Sequence, residues 1–169
     1  MKRSKRIIIA VAVIFIVAGA VSLLNHDAGV NTFSENRFVA YENRTVLDSA
    51  TGLMWAASDN GSAATWKEAW KYCEDYNGGG YTDWRMPTAD ELATLYDEDE
   101  PGYRPECAVY DWNVYLTGKI HLSGASPWAS VDHGAEAECF MFDYGCRSRM
   151  FKSVNFIMRA LPVRNYSAS

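Results

Sequence analysis

Asp132, His133, Glu136 and Glu138 form the only stretch of this sequence that sets an imidazole among several carboxylates. An imidazole that titrates near neutrality beside carboxylates suits proton transfer or the holding of a metal ion. Gly134 removes helical support from the group, so these side chains are expected in a polar loop between strands and no catalytic role is assigned to them. Asp97, Glu98, Asp99 and Glu100 offer the hard oxygen ligands that calcium prefers, although four successive acids equally describe a solvated loop. Gly78, Gly79 and Gly80 could approach a phosphate, but no Lys-Ser/Thr follows them and a helix is expected to end there, which makes them a turn. Asp83 and Arg85 flank Trp84 as an acid and an anion anchor. The competing reading buries Trp84 and uses both charges to hold a turn and a helix start. No Gly-x-Ser-x-Gly elbow occurs.

Cysteine chemistry depends on the compartment. Residues 1–6 carry four positive charges and residues 7–24 follow as 18 uncharged positions, just long enough to span a bilayer. A basic flank before an apolar run predicts an N-terminus in the cytoplasm and export of everything after it, with the run kept as an inner-membrane anchor. Ala18, Gly19 and Ala20 also satisfy the small-x-small rule for a cleaved signal peptide, leaving a secreted or periplasmic product. In an oxidising compartment the four cysteines, Cys73, Cys107, Cys139 and Cys146, suggest two disulfides whose connectivity the sequence leaves open. No Cys-x-x-Cys pair is present, so no metal site is assigned.

The elements that must position these groups are legible from capping and periodicity. Thr65 and Glu68 have the spacing of a capping box, and Trp66, Ala69, Trp70 and Cys73 then give one apolar helical face, with Asn77 and Gly78 as a left-handed stop. The Trp66 and Trp70 pair could stack on a sugar, but its spacing fits a buried stripe. A second box, Thr88 and Glu91, follows Pro87 and opens a shorter helix with Leu92, Leu95 and Tyr96 facing inward. Short strands are expected at residues 37–41, 45–48 and 53–56, the last two as a hairpin, and again at 127–131, 138–144, 147–151 and 156–164. Residues 101–126 are rich in Tyr, Trp, Gly and Pro without a period, which predicts a long irregular segment. The pattern describes an α+β domain over residues 37–164, preceded by a linker at 25–36 and followed by a tail at 165–169.

Charge narrows the partner. Residues 25–169 hold 12 basic against 21 acidic side chains, a balance of −9 that repels nucleic acid and anionic polysaccharide. The distribution is uneven: residues 74–111 contain eleven acids and two bases, whereas residues 144–169 contain five bases and no acid. The two halves are expected to pair with each other.

Thr45, Val46, Leu47 and Asp48, then Thr51, Gly52, Leu53, Met54 and Trp55, the helix at 66–73, and the run at 80–92 through Asp83, Trp84, Arg85, Met86, Pro87 and Thr88 come in a recognisable order. With Trp128, Ala129 and Ser130 and the closing Leu161, Pro162, Val163 and Arg164, they resemble the Lcl C-terminal domain family, named from a bacterial collagen-like adhesin. The resemblance implies a C-type-lectin-like fold, distantly similar to formylglycine-generating enzymes, in secreted or surface-attached bacterial proteins. Neither the Glu-Pro-Asn nor the Trp-Asn-Asp sequence of calcium-dependent lectins occurs, so no cofactor is expected, calcium being the one alternative. The adhesin's association with glycosaminoglycans does not suit the acidic balance here, with Arg147, Arg149 and Lys152 the local exception. Many relatives close with Arg-Cys-Val-Arg where this chain has Val163 and Arg164 after Pro162. Cys73 is therefore left to pair with Cys107, Cys139 or Cys146, or to stay free.

The function expected is a non-catalytic module of the bacterial envelope that recognises a glycan or an envelope protein. The alternatives are an enzyme on the sulfatase-modifying scaffold and a structural subunit of an envelope complex. Trp112, Tyr115, His133, Glu136, Arg147, Arg149 and Phe151 are the expected ligand-binding residues, because loops and late strands can present aromatic surface with polar groups beside it. Trp55, Trp66, Trp84, Arg85 and Trp128 are expected to be structural.

Overall fold

The computed structural model describes residues 37–105 and 112–167. The basic flank, the apolar run at 7–24, the linker and Cys107 lie outside that set.

Two four-stranded sheets form the domain. β1 (Phe38–Ala40), β2 (Thr45–Asp48) and β3 (Leu53–Ala56) run as an antiparallel meander that β8 (Val163–Asn165) completes in the order β1-β2-β3-β8. The hairpin expected at 45–56 is therefore present, turned by Asp48, whose carboxylate accepts the Ala50 N–H at 3.1 Å, and by Gly52 with φ of 70°. The second sheet has the order β6-β5-β4-β7, made of β4 (Ser126–His133), β5 (Glu136–Met141), β6 (Cys146–Phe151) and β7 (Met158–Arg159). β7 alone runs parallel to its neighbour.

Both capping boxes form. Thr65 Oγ1 accepts from the Glu68 N–H and the Glu68 carboxylate accepts from the Thr65 N–H at 2.8 Å, which starts α1 (Trp66–Asp75). Thr88 and Glu91 repeat the exchange at 3.1 and 2.8 Å and start α2 (Ala89–Ala93). The end of α1 differs from expectation: Tyr76 is already extended at φ −66° and ψ 136°, and the left-handed residues are Gly79 and Gly80, not Gly78. The three glycines form a separate 3-10 turn.

The single strand expected at 156–164 is two strands in two sheets. Pro162 has no N–H to give a ladder, and its carbonyl accepts the Ala56 N–H at 3.0 Å, while the Ala160 N–H goes to the Asn60 side chain at 2.9 Å. Those bonds draw residues 160–162 across from one sheet to the other.

Side chains alternate between the two faces of each sheet. Val46, Leu53, Trp55 and Val163 from the first sheet meet Ala129 and Phe140 from the second and Phe142 just past β5, with Leu92 and Leu95 filling between them. The opposite face of the second sheet carries Trp128, Ala137 and Cys139 against Ala69 and Cys73 of α1. Two indoles fasten that helix: Trp128 Nε1 donates to the Ala64 carbonyl at 2.9 Å and Trp66 Nε1 to the Ala129 carbonyl at 2.8 Å.

A buried polar network joins three segments. Arg159 and Asp59 have side chains only 3% and 2% exposed, with 3.9 Å between guanidinium and carboxylate. Ser123 bridges them, accepting from Arg159 Nε at 2.8 Å while its N–H and hydroxyl donate to Asp59 at 2.8 and 3.0 Å. Burial lifts the Asp59 carboxyl above its usual range, and the donors from Gly61 and Ser123 together with the charge of Arg159 offset this only in part.

Arg159→Met strands that carboxylate and should cost about 3–5 kcal/mol in denaturant unfolding. Because the folded-state pKa of Asp59 is raised, its contribution is present below the unfolded value and is lost as pH rises through the folded one. The deficit of Arg159→Met should therefore be larger near neutrality than at about pH 4, and Asp59→Asn should abolish that difference.

Candidate functional site

Cross-strand register gathers most of the expected ligand-binding residues onto one surface. His133 stands opposite Glu136 and Glu136 opposite Phe151; further along, Glu138 faces Arg149 and Phe140 faces Arg147. Opposed residues share a face, so His133, Glu136, Arg147, Arg149 and Phe151 lie on the same side of the second sheet, with Glu138 among them. The intervening Ala137, Cys139 and Met150 point the other way, into the core that α1 covers.

The chemistry of this face is ionic and apolar together. His133 Nε2 lies 3.1 Å from Glu138 Oε1, and Arg147 pairs with Asp90 of α2. Arg149 makes no ion pair or hydrogen bond among the described residues, and Phe151 is 60% exposed. Both belong to β6, the outermost strand, where charged side chains guard an unpaired backbone edge. Gly145 turns β5 into β6 at φ of 64°, and the Tyr96 ring fills the space that a Cβ would need there.

Trp112 and Tyr115 do not join the open part of the face. Trp112 is partly buried against the main core, and Tyr115 packs on Tyr96 with ring centroids 6.4 Å apart, which in turn packs on Phe140 at 6.1 Å. Trp55, Trp84 and Trp128 are buried, Trp66 is partly so, and the Trp84 indole donates to the Gly78 carbonyl at 3.1 Å. Asp83 departs from expectation by reaching Arg164 on β8 at 2.6 Å instead of its own turn.

Arg85 lines an open cleft of about 390 Å³ with Trp70, Glu74, Met86, Glu91 and Ser130. Its guanidinium forks onto Glu91 at 2.8 and 2.6 Å. Burial raises the Glu91 carboxyl, but the Arg85 fork and the Thr88 donors outweigh it and hold it below the ordinary carboxylate range. Arg85 and Glu91 are committed to each other and to the start of α2, whereas the Glu74 carboxylate makes no hydrogen bond or ion pair among the described residues.

Three cysteines are described, and none is bonded to another. Cys73 and Cys139 sit on α1 and β5 inside the second core, where burial pushes each thiol up to about 12, whereas Cys146 is exposed on β6. The expectation of two bridges thus finds none among these three. Among the described residues no three His, Cys, Asp or Glu side chains converge as a metal site. Asp97 uses its carboxylate on the Asp99 N–H at 3.0 Å in an exposed turn.

One concavity has no counterpart in the sequence reading: Tyr41, Tyr81 and Tyr166 meet over Met54 beside Asn43. Its signal was three tyrosines in three distant segments, which no local spacing connects.

Among the described residues, two mainly antiparallel sheets and two short capped helices define an α+β domain whose buried charges are paired. The profile of the Lcl C-terminal domain family matches residues 44–163, and the chain belongs to that family. No curated protein matches it.

Gly145→Ala combines a left-handed backbone with a collision against Tyr96 and should destabilise the domain by about 1–3 kcal/mol, read as a lowered denaturant midpoint.

Proposed function

We propose that the domain is a non-catalytic binding module of the bacterial envelope, built on a C-type-lectin-like fold, that holds a glycan or an envelope protein against the exposed end of the β4–β5–β6 face whose inner part carries Phe140. The observation that carries this reading is the pairing of an uncommitted guanidinium, Arg149, with the exposed ring of Phe151 on an edge strand. A cation beside an apolar ring suits a partner that offers an acidic group next to an apolar surface. The acidic balance of residues 25–169 argues against polyanions and nucleic acid, because one local cation does not override a field of that sign.

On this reading the domain stands outside the cytoplasm, tethered to the inner membrane by residues 7–24 or released after cleavage. Calcium would enter only as an aid to glycan binding through the acidic turn at 97–100. The mutual commitment of Arg85 and Glu91 favours scaffolding over turnover for that pair, which weighs against an enzyme built on them.

The test uses the full chain in a detergent without a sugar headgroup, applied to a broad glycan array with calcium and with chelator, and to envelope extract for copurification. A specific partner should appear in one of the two assays. Arg149→Glu or Phe151→Ser should weaken its capture at least tenfold while leaving thermal unfolding within a degree or two, since both side chains are exposed. Capture undiminished by both substitutions, or turnover of a supplied compound, would overturn the proposal.

A further inference from the structure

We propose that the outer face of the first sheet carries a second site, distinct from the β4–β5–β6 face, that takes one neutral pyranose ring between Tyr41, Tyr81 and Tyr166 with the Asn43 amide at its rim.

The sheet itself assembles the cleft. Val39, Leu47, Met54 and Arg164 are opposed across β1, β2, β3 and β8, so they share the face that points away from the main core. Alternation carries Tyr41, two residues after Val39, and Tyr166, two after Arg164, to that same face. Met54 forms a buried floor, while Tyr41 and Tyr166 remain 39% and 40% exposed.

Tyr81 comes from outside the sheet. The turn at Gly78–Gly80 lays it over Arg164, whose guanidinium lies 3.9 Å from the ring centroid and is held by Asp83 at 2.6 and 3.1 Å. Gly79 makes the approach possible. Its φ is 68°, and a Cβ there would stand 3.0 Å from Asn43 Nδ2, from Thr45 Cγ2 and from the Tyr81 ring. Only a residue without a side chain lets those three groups close around it.

The polar groups of the cleft are left open. Asn43 Oδ1 accepts from the Thr45 hydroxyl at 2.7 Å, which orients the amide and leaves Nδ2 as a donor. Neither that donor nor the hydroxyls of Tyr41, Tyr81 and Tyr166 make a hydrogen bond among the described residues. Flat aromatic faces with donors and acceptors at their edges match a ring that is apolar on its C–H face and hydroxylated at its rim.

Size and charge set the remaining limits. A volume of about 90 Å³ admits part of one ring and leaves a linked sugar outside. An anionic sugar meets an unfavourable overall field, with 21 acids against 12 bases in residues 25–169 and the charge of Arg164 matched by Asp83. A quaternary ammonium meets a ring already stacked by a guanidinium.

Saturation-transfer NMR on the full chain, in a detergent without a sugar headgroup, tests the site with cellobiose, maltose, lactose and chitobiose, and with choline as the cationic comparison. At least one disaccharide should give a saturable signal. Tyr41→Ala and Tyr166→Ala should each weaken it about tenfold without altering thermal unfolding, and Arg149→Glu should leave it unchanged. The proposal fails if none of the four binds at millimolar concentration, if choline alone binds, or if saccharide binding survives the double tyrosine substitution. Loss of saccharide binding in Arg149→Glu would also overturn it, by moving the sugar to the other face. Absence of saccharide binding together with Arg149-dependent capture of an envelope protein would refute this site alone.

Discussion

A guanidinium buried without a partner would cost several kcal/mol, a large share of the stability of a domain this size, and Arg159 is buried almost completely. The rest of the structure is arranged so that this never arises. Ser123 stands between Arg159 and Asp59 and passes hydrogen bonds from one to the other, which draws together the segment after β3, the irregular stretch before β4, and β7. Gly124 belongs to the same arrangement, since a Cβ there would come within 2.8 Å of the guanidinium. β7 is two residues long and parallel to its neighbour, a weak pairing by itself. The network holds it in place.

The second sheet is covered on both sides along the first half of β4 and the inner part of β5, and this decides what remains for other molecules. One face gives Phe140 and Phe142 to the main core, and the other gives Trp128, Ala137 and Cys139 to the helix α1, fastened by the two indole bonds. Only the outer end of the sheet, where β5 and β6 extend past the cover, can show residues to solvent. His133, Glu136, Arg149 and Phe151 gather there because register aligns them and nothing packs over them.

Charge segregation in the sequence becomes a set of contacts across the fold. Asp83 with Arg164 and Asp90 with Arg147 join the acidic middle of the chain to its basic end, as the uneven distribution suggested. These pairs differ in weight. Arg164 is buried, stacked on Tyr81 and bound by Asp83, so it fixes geometry; Arg147 and Asp90 are both exposed, where an ion pair contributes little. What pairing leaves over matters most, and among the described residues of the basic end, 144–167, Arg149 is the cation without an ion pair.

Local grammar was the part that could be read directly. Thr65 with Glu68 and Thr88 with Glu91 start helices because each box satisfies backbone donors within four residues, and Asp48 with Gly52 turns the hairpin for the same reason. The family was equally legible, since its most specific motif lies in one run around Trp84 and the other segments follow in order along residues 44–163. Less local features were not. Residues 156–164 read as one strand, yet two sheets compete for them and Pro162 cannot serve both, so the chain divides. The α1 stop assigned to Gly78 failed because Tyr76 leaves the helix to pack its ring on Trp84, which no capping rule registers. The five residues on the β4–β5–β6 face could be named singly but not joined, and the tyrosine cleft could not be seen at all. Hydrogen bonds that close within a few residues depend on residue type and spacing, which the sequence states outright. Which strand lies beside which, and so which side chains meet or stay open, depends on satisfying buried charges and apolar faces drawn from the whole chain at once.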